Sequence, residues 1–347
     1  MGEYVVGFLP RDALKEVVVE HLFPLYPDVF NLEERLQVVG IDIPARRITD
    51  YRHQEVESRN GQWELRPGSY LIQFGFSLDN LLDNLPQLRP RMFWRSSLQR
   101  VGAIGGSIIL LPEQHEGMHD DRFMEGEIFG QCSVVNPHGI ILDEDAGLAQ
   151  LCFSSGGTST VVSENLRARR LRQFTGPGYI GRKKTTIPEC VEVDPQQLPD
   201  ERIGWKLTRD TAYSAELDGV VLVPENAVLT PSLHQADLDA NPALQFLSRS
   251  MCLADSGYFG GLDMTICAFA NGVTIGQNDG LLRLTLERVL SVKGMNTARY
   301  QGQWQGERSQ QDHNIELGSL RHWGLVGGKG LTLDEFAART REAGVFV

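Results

Sequence analysis

The chain has 347 residues, of which 41% are hydrophobic and 22% are charged, as is typical of a folded globular protein. At roughly 150 residues per domain, this length predicts about two domains. The net charge of −12 disfavours a general nucleic-acid-binding role, because a polyanion would need a local basic cluster. No apolar run approaches the ~20 residues of a membrane span, so we expect neither a nucleic-acid nor a membrane partner.

The cysteines indicate a reducing compartment. Their number is odd, they are widely spaced and none forms a CxxC pair. Reduced thiols in the cytoplasm are therefore expected, and a structural zinc site is not. Arg11 and Asp12 come too early in the N-terminal segment for a signal peptide.

Short strands dominate the predicted elements. Residues 11–23 carry apolar residues at helical spacing and predict a helix, and 332–342 predict another that opens with a capping box. Between them, short apolar runs alternate with Gly, Pro, Asn and Asp, which favours a mainly β sandwich or barrel. The predicted strands are 68–76, 105–111, 139–143, 147–153, 218–224 and 281–289.

The spacing of several segments repeats along the chain. The acidic element at 121–126 has a counterpart at 255–260, and each precedes a strand that opens at a glycine, Gly147 or Gly280. The interval from the aspartate to that glycine is 26 residues in one half and 25 in the other. Agreement in order and spacing predicts an internal duplication.

The boundary between the two copies is predicted in the polar stretch 155–170. This gives a first domain over 1–160 and a second over 161–347. The basic residues at 167–172 and 182–184 are interpreted as a solvated linker region, with a second phosphate contact as the alternative.

The segment Arg95-Ser96-Ser97-Leu98-Gln99-Arg100 carries the strongest chemical signal. Two arginines five residues apart flank adjacent hydroxyls. A guanidinium presents a planar fork of donors that suits phosphate oxygens, and serine hydroxyls add neutral donors. The segment therefore indicates a phosphate site, with a solvated basic turn as the alternative interpretation of the same residues.

The segment RSSLQRVG (95–102) resembles the RSSLARLG signature of the dCTP deaminase family, within the dUTPase-like superfamily. Other segments resemble further parts of this family in the same order along the chain. They are FLPRDALKEVV (8–18), VGIDIPARR (39–47), LRPGSYLIQF (65–74), the element at 121–126, GLAQLCF (147–153), DSGYFGGLDM (255–264) and ARYQGQ (298–303).

This resemblance implies a mainly β chain of two dUTPase-like domains, β-clip or jelly-roll-like, with a few short helices. It also implies hydrolytic deamination of dCTP to dUTP and ammonia. The substrate-binding residues implied by position are Arg95, Ser97, Asp121, Arg299, Tyr300 and Gln303, and the catalytic ones are Ser96, Arg100 and Gln131. Asp121 would hold the deoxyribose 3′-hydroxyl, while Arg299 and Gln303 would contact phosphate.

The resemblance also implies that Mg²⁺ arrives with the triphosphate, held by phosphate oxygens and water. A zinc-dependent deaminase is excluded, because His115-Glu116 is not H-x-E and the chain has no P-C-x-x-C segment. The sequence therefore predicts no dedicated metal ligands.

The family's general base is not found where it is expected. In the family the base stands five residues after the last glycine of the acidic element, and in this chain that position is Gln131. Counting back three residues from Asn136 gives Ser133 instead, and the corresponding position of the second half is Thr265. None of these is a carboxylate, although the amide of Gln131 could orient water. The nearest carboxylates are Glu125 and Glu127, which would share a strand face with Gln131 if the strand were unbroken.

Two other functions stay open at this point. The chain could be a dUTP diphosphatase in which Asp121 positions the water, or a nucleotide-binding or regulatory protein that binds dCTP or dTTP without catalysis. For the deaminase, dUTP or dTTP is considered as an effector. We expect a homo-oligomer, and trimers are common in this superfamily. A composite site is expected, within one chain or between chains, in which the Arg95–Arg100 turn meets Arg299 and Gln303. In the second half, Ser248–Ser250 is the nearest equivalent of that turn.

Overall fold

A computed structural model gives the fold of most of the chain. It describes residues 7–31, 35–109, 127–155, 160–182, 184–217, 221–223, 227–232, 242–249, 253, 259–260 and 262–289. The predicted helix at 332–342 and both acidic elements, 121–126 and 255–260, lie wholly or largely outside these residues. None of the described helices is long and apolar enough to cross a membrane.

The chain divides into two compact units. Unit 1 comprises Met1–Thr158 with Gly176–Pro188, and unit 2 comprises Ser159–Thr175 with Glu189–Val347. Residues 176–188 thus belong to unit 1, although in the sequence they come after Ser159–Thr175, which belongs to unit 2.

Unit 1 contains three short α-helices and twelve described strands. The helices are α1 (Arg11–Val17), which continues as a π-helical turn at Val18–Leu22, α2 (Asp79–Asn84) and α3 (Ser96–Arg100). The strands are β1 (Gly7–Phe8), β2 (Ile41–Pro44), β3 (Arg47–Asp50), β4 (Gln62–Leu65), β5 (Gly68–Gln73), β6 (Leu88–Trp94), β7 (Ala103–Ile109), β8 (Phe129–Val134), β9 (Ile140–Asp143), β10 (Gly147–Ser155), β12 (Gly178–Ile180) and β13 (Thr185–Thr186).

Unit 2 is built from the remaining described strands and a 3₁₀ turn at Pro242–Phe246. The strands are β11 (Thr160–Phe174), β14 (Cys190–Val193), β15 (Gln196–Gln197), β16 (Ile203–Lys206), β17 (Ala212–Leu217), β18 (Val221–Leu222), β19 (Ala227–Ser232), β20 (Leu247–Arg249), β21 (Phe259–Gly260), β22 (Asp263–Ala268), β23 (Thr274–Gly276) and β24 (Gly280–Arg288).

Six strand pairings of unit 1 recur in unit 2 in the same order along the chain. In unit 1, β10 pairs with β2 and β6, β5 pairs with β3 and β8, β8 pairs with β7, and β9 pairs with β4. In unit 2, β24 pairs with β11 and β19, β17 pairs with β11 and β22, β22 pairs with β20, and β23 pairs with β16. The first and second parts of β11 thus take the places of β2 and β3. All twelve pairings are antiparallel.

The registers agree in detail. In unit 1, Gly147 lies opposite Pro44 and Ala149 opposite Ile43, with a bulge between these two pairs. In unit 2, Gly280 lies opposite Arg167 and Leu282 opposite Leu166, with a bulge at the same place. Because a bulge inserts one residue into a strand, its recurrence fixes Gly147 and Gly280 as equivalent positions.

Buried tryptophans occupy matching positions in the two units. Trp63 lies opposite Leu142, and Trp205 lies opposite Ile275. The turn that follows each partner strand closes with the same hydrogen bond, from the amide of Ala146 in unit 1 and of Asp279 in unit 2, at 3.0 Å.

Several sequence predictions can be compared with these elements. The mainly β class is confirmed, and the structure has a helix where 11–23 predicts one. The interpretation of 167–172 as a solvated linker is wrong, because these residues lie within β11 and pair with three neighbouring strands, β14, β17 and β24. Ala168 and Leu171 are buried, and a bulge between Ala168 and Arg170 interrupts the alternation of side chains along this strand.

Ser248 and Arg249 do not correspond to the arginine–serine turn, and Ser250 lies outside the described residues. Leu247 and Ser248 belong to β20, which pairs with β22 as β7 pairs with β8. The residues therefore take the place of the strand that follows the turn, one element further along the chain.

Apolar side chains from strands, helices and connecting segments form the two cores. In unit 1, the rings of Phe30 and Phe76 meet edge to face at 5.1 Å. In unit 2, Trp205 packs in a cluster with Leu171, Ile266 and other buried residues, and its indole N–H donates to the carbonyl of Val193 at 2.8 Å.

Replacing Trp205 by alanine tests the core of unit 2. Trp205 is 1% exposed, so Trp205→Ala should lower the free energy of unfolding by about 3–5 kcal/mol through lost burial and a cavity. Urea unfolding measures this change. Ile203→Ala in the same strand is the control, because Ile203 is half exposed and its loss should cost less than about 0.5 kcal/mol. Equal effects of the two changes would show that Trp205 does not anchor the core.

Candidate functional site

The arginine–serine turn follows directly from β6 and forms α3. The amide of Arg95 donates to the carbonyl of Leu148 at 2.9 Å, which ties the start of the turn to β10. The amide of Leu98 donates to the carbonyl of Arg95 at 3.0 Å and begins the helical turn. β6 ends at the buried Trp94, Arg95 takes the N-cap position, and Ser96 and Ser97, of a residue type that favours helix starts, open the helical turn.

Arg95 forms an ion pair with Asp42 of β2. Its Nη1 donates to Oδ2 of Asp42, and the side chain of Gln37 donates to the same oxygen at 2.8 Å. Asp42 is 5% exposed, and the side chain of Arg95 is 15% exposed. A carboxylate buried between Ile41 and Ile43 requires such donors, because an unpaired buried charge is strongly unfavourable.

Gly147 leaves the space that this ion pair occupies. A Cβ atom at Gly147 would lie 2.9 Å from Cβ of Asp42 and 3.2 Å from Nη1 of Arg95. A glycine at this bulge therefore lets the carboxylate and the guanidinium approach each other beside the backbone.

The remaining groups of the turn differ in exposure. Ser96 and Arg100 are half-buried, whereas Ser97 is 4% exposed. The hydroxyl of Ser97 has no hydrogen-bond partner among the described residues. For Arg95, only Nη1 has a side-chain partner in the described part of the chain. Guanidinium and hydroxyl donors are thus left over for a ligand.

Asn136 fixes the other end of the turn. It is fully buried, and its amide donates to the carbonyls of Val101 and Gly176, both at 3.0 Å. Its own backbone amide donates to the carbonyl of Gly102 at 2.8 Å. The turn is therefore held at both ends, by Asp42 before it and by Asn136 after it.

Trp94 connects the turn to the strand that carries Gln131. Its indole N–H donates to the carbonyl of Gly106 at 2.7 Å. A Cβ atom at Gly105 would lie 2.0 Å from the ring, and one at Gly130 would lie 2.7 Å from it. The ring therefore rests against the backbones of β7 and β8, directly before Gln131.

Gln131 is exposed on β8. It lies opposite Leu71 of β5, and a Cβ atom at Gly106 would lie 3.7 Å from its Oε1. Side chains alternate along a strand, so Gln131 points away from the face on which Trp94 packs against Gly130. Its amide is accessible, as an amide that contacts a ligand must be.

Glu127 does not take the place of Gln131. Glu127 lies before β8, which begins at Phe129, and four residues of extended chain would place its Cα atom about 13 Å from that of Gln131. Glu127 is 8% exposed, and its burial raises the pKa of the carboxyl. A hydrogen bond from the backbone of Gly75, together with the charges of Arg47 and Arg46, opposes that rise only in part.

The structure brings together only part of the predicted site. Arg95, Ser96, Ser97 and Arg100 form one turn, and Gln131 lies on a strand that contacts Trp94 beside it. Asp121, Arg299, Tyr300, Gln303 and Glu125 lie outside the described residues, so their roles stay predictions. The described part of the chain holds no group of three or more His, Cys, Asp or Glu side chains arranged for a metal ion.

A cavity of about 260 Å³ in unit 1 lies apart from the predicted site residues. It is lined by Asp28, Val29, Arg35, Pro44, Ala45, Arg46, Trp63, Phe74, Glu144 and Asp145.

Two residues that hold the turn, Asp42 and Asn136, were not predicted as such from the sequence. The signal for Asp42 was present, since it is a single charge between two isoleucines in a short apolar segment. Its partner could not be identified, because Arg95 lies 53 positions away along the chain.

Comparison with solved structures identifies the fold. The chain is similar to the crystal structure of 2′-deoxycytidine 5′-triphosphate deaminase from Agrobacterium tumefaciens, with a TM-score of 0.57 and 11% sequence identity. The match covers 82% of this chain and 99% of that one. Neither unit alone makes up 82% of the chain, so the likeness extends over both. No protein-family model and no curated protein matches the sequence.

These findings confirm the predicted fold class. The chain is mainly β and has the fold of a dCTP deaminase, which is dUTPase-like.

The pH dependence of stability tests the environment of Glu127. Because folding raises the pKa of this carboxyl above its ordinary value of 4.5, the folded state favours the protonated form. Its stabilising contribution is present below pH 4.5 and is lost as the pH rises through the raised pKa.

Glu127→Gln should therefore raise the free energy of unfolding near neutral pH and have little effect in acid. Urea unfolding from about pH 4 to about pH 8 measures the difference between variant and native protein. Glu64→Gln, at an exposed glutamate of β4, is the control. If Glu127→Gln destabilised the protein at neutral pH, the folded state would favour the carboxylate, and the pKa of Glu127 would be lowered rather than raised.

Proposed function

We propose that this protein binds a deoxynucleoside triphosphate and deaminates dCTP, at a site built on the turn from Arg95 to Arg100. Water would replace the 4-amino group of cytosine, giving dUTP and ammonia. The fold of a dCTP deaminase over both units supports the substrate class. The observation that carries the proposal is the arginine–serine turn, fixed at both ends and with donors left over.

The triphosphate would be held by charge-assisted hydrogen bonds. Arg100 and the remaining N–H groups of Arg95 would supply the cationic donors, and the hydroxyls of Ser96 and Ser97 would supply neutral ones. Ser97 is suited to this role because its buried hydroxyl has no partner in the described part of unit 1. A hydrogen bond from the hydroxyl of Ser97 to a phosphate oxygen would be strengthened by the low dielectric of its buried surroundings.

Mg²⁺ would accompany the triphosphate rather than occupy a protein cage. The carboxylate beside the turn belongs to Asp42 and is engaged by Arg95 and Gln37. This donor set suits an ion held by phosphate oxygens and water. When bound, the ion would offset part of the phosphate charge, while the turn orients the nucleotide.

The second candidate function is nucleotide binding without catalysis. Gln131 stands where the family resemblance places the general base, and Glu127 lies four residues earlier, before β8 begins. An amide orients water but does not remove its proton. The proposed deaminase therefore needs a carboxylate from elsewhere to act as the general base. Without one, the site would bind dCTP, dUTP or dTTP as an effector.

The other expectations stay predictions. They are dUTP diphosphatase activity through Asp121, phosphate contacts from Arg299, Tyr300 and Gln303, a trimeric homo-oligomer, domains divided at residue 160, and a cytoplasmic location. For the two units, we infer descent from one duplicated ancestor, supported by six shared pairings and the shared bulge.

An assay of the full chain with dCTP and Mg²⁺ tests the first function. Equal amounts of dUTP and ammonia are expected. Arg100→Ala should lower kcat/KM about 10- to 100-fold, since a hydrogen bond to a charged group contributes about 1.5–3 kcal/mol. The control is Arg66→Ala, at an exposed arginine of unit 1. Absence of turnover and of dCTP binding would reject the proposal.

Restoring a carboxylate distinguishes the two candidates. If the native protein binds dCTP without turnover, Gln131→Glu should create deamination, because a general base contributes roughly 10²–10⁴-fold. Gln131→Ala is the matched control, since it alters the same exposed position without adding a base. If Gln131→Glu leaves the rate of ammonia release unchanged, Gln131 does not stand at the position of the base.

A further inference from the structure

The strand that leads into the turn has a counterpart in unit 2 with the same register. Leu88 at the start of β6 lies opposite Ser155 of β10, and Ala227 at the start of β19 lies opposite Arg288 of β24. Gly147 and Gly280 are equivalent positions, so Ser155 and Arg288 are equivalent too. The segment after β19 is therefore the counterpart in sequence of the turn after β6.

The two segments differ in charge. Between β6 and β7, residues 95–102 contain two arginines and no acidic residue. Between β19 and β20, residues 233–246 contain no lysine or arginine, and they contain Asp237 and Asp239. A segment with acidic residues and no cation repels a triphosphate.

The position of Asp42 has changed together with the turn. Asp42 lies opposite Gln150 of β10, and Asn165 lies opposite Arg283 of β24. The shared bulge makes these two pairs equivalent. Unit 1 thus has a carboxylate and an arginine, and unit 2 has an amide where the carboxylate would be and no arginine in the segment after β19.

The carboxylate and the arginine are both present in unit 1 and both missing from the equivalent places of unit 2. This indicates that the role of the Asp42 carboxylate is to position Arg95. A buried carboxylate is tolerated in β2 because Arg95 and Gln37 donate to it. In return, it fixes one edge of the guanidinium beside Gly147 and leaves its other donors in one orientation. Where the arginine is missing, a carboxylate would have lost that partner, and a neutral amide stands in its place.

We propose that each chain binds a single nucleotide, in unit 1, and that Asp42 is the positioning residue that orients Arg95 toward its phosphates. This inference rests on the proposed nucleotide binding and adds to it the number of sites and the reason for that number. Unit 2 supplies structure but no second triphosphate site at the equivalent place.

Calorimetric titration of the full chain with dCTP and Mg²⁺ measures the number of sites. One nucleotide per chain is expected, and two per chain would overturn the inference while leaving the proposed function intact. A native chain that binds neither dCTP nor inorganic tripolyphosphate would reject both. Binding of tripolyphosphate alone at one site per chain would support the site and reject the pyrimidine substrate.

A pair of reciprocal variants tests the positioning role. Asp42→Asn should weaken dCTP binding about 10-fold or more, since it removes the charge that holds the guanidinium. Asn165→Asp at the equivalent position of unit 2 should leave the affinity and the number of sites unchanged. Circular dichroism establishes that both variants are folded.

A double-mutant cycle separates positioning from general stability. Arg95→Gln alone should weaken binding, and adding Asp42→Asn to it should cause little further loss, because Asp42 acts through Arg95. Additive losses of affinity would show that Asp42 acts independently of Arg95 and would overturn the positioning role. If Asp42→Asn does not fold, Gly147→Ala replaces it, since a Cβ atom there presses on the same pair and should also weaken binding.

Discussion

The ion pair between Asp42 and Arg95 is the interaction on which the candidate site depends. It joins β2 to the residue after β6, and both strands lie beside β10. Removing one member of such a buried pair typically costs about 3–5 kcal/mol, because the remaining charge is left without a partner. The pair thus links the stability of the sheet to the direction of the turn, and a change that disturbs either should disturb both.

The glycines beside the turn also help to hold it in position. Gly147 gives space to the ion pair, while Gly105 and Gly130 give space to the ring of Trp94. A side chain at any of these positions would collide with groups that hold the turn. The turn is therefore positioned by close backbone contact on two sides, so its donors are oriented before a ligand arrives, which lowers the entropic cost of binding.

The two units share one set of strand pairings but differ in the segments that connect the strands. Their bulges and buried tryptophans agree, because these features maintain the sheets and cores. The segments after β6 and β19 lie outside the shared pairings and differ in length and charge. Packing constrains the strands of both units, whereas only a unit that binds an anion needs arginines between them.

The sequence by itself determined the mainly β class, the helix near residue 11, the recurrence of the glycine-led strands and the arginine–serine turn. Each of these depends on local pattern: alternation, turn residues or a short motif. The tertiary structure alone decided that 167–172 is a strand and that Asp42 contacts Arg95. These depend on strand register, because a shift of one residue changes every partner and reverses the face of every side chain.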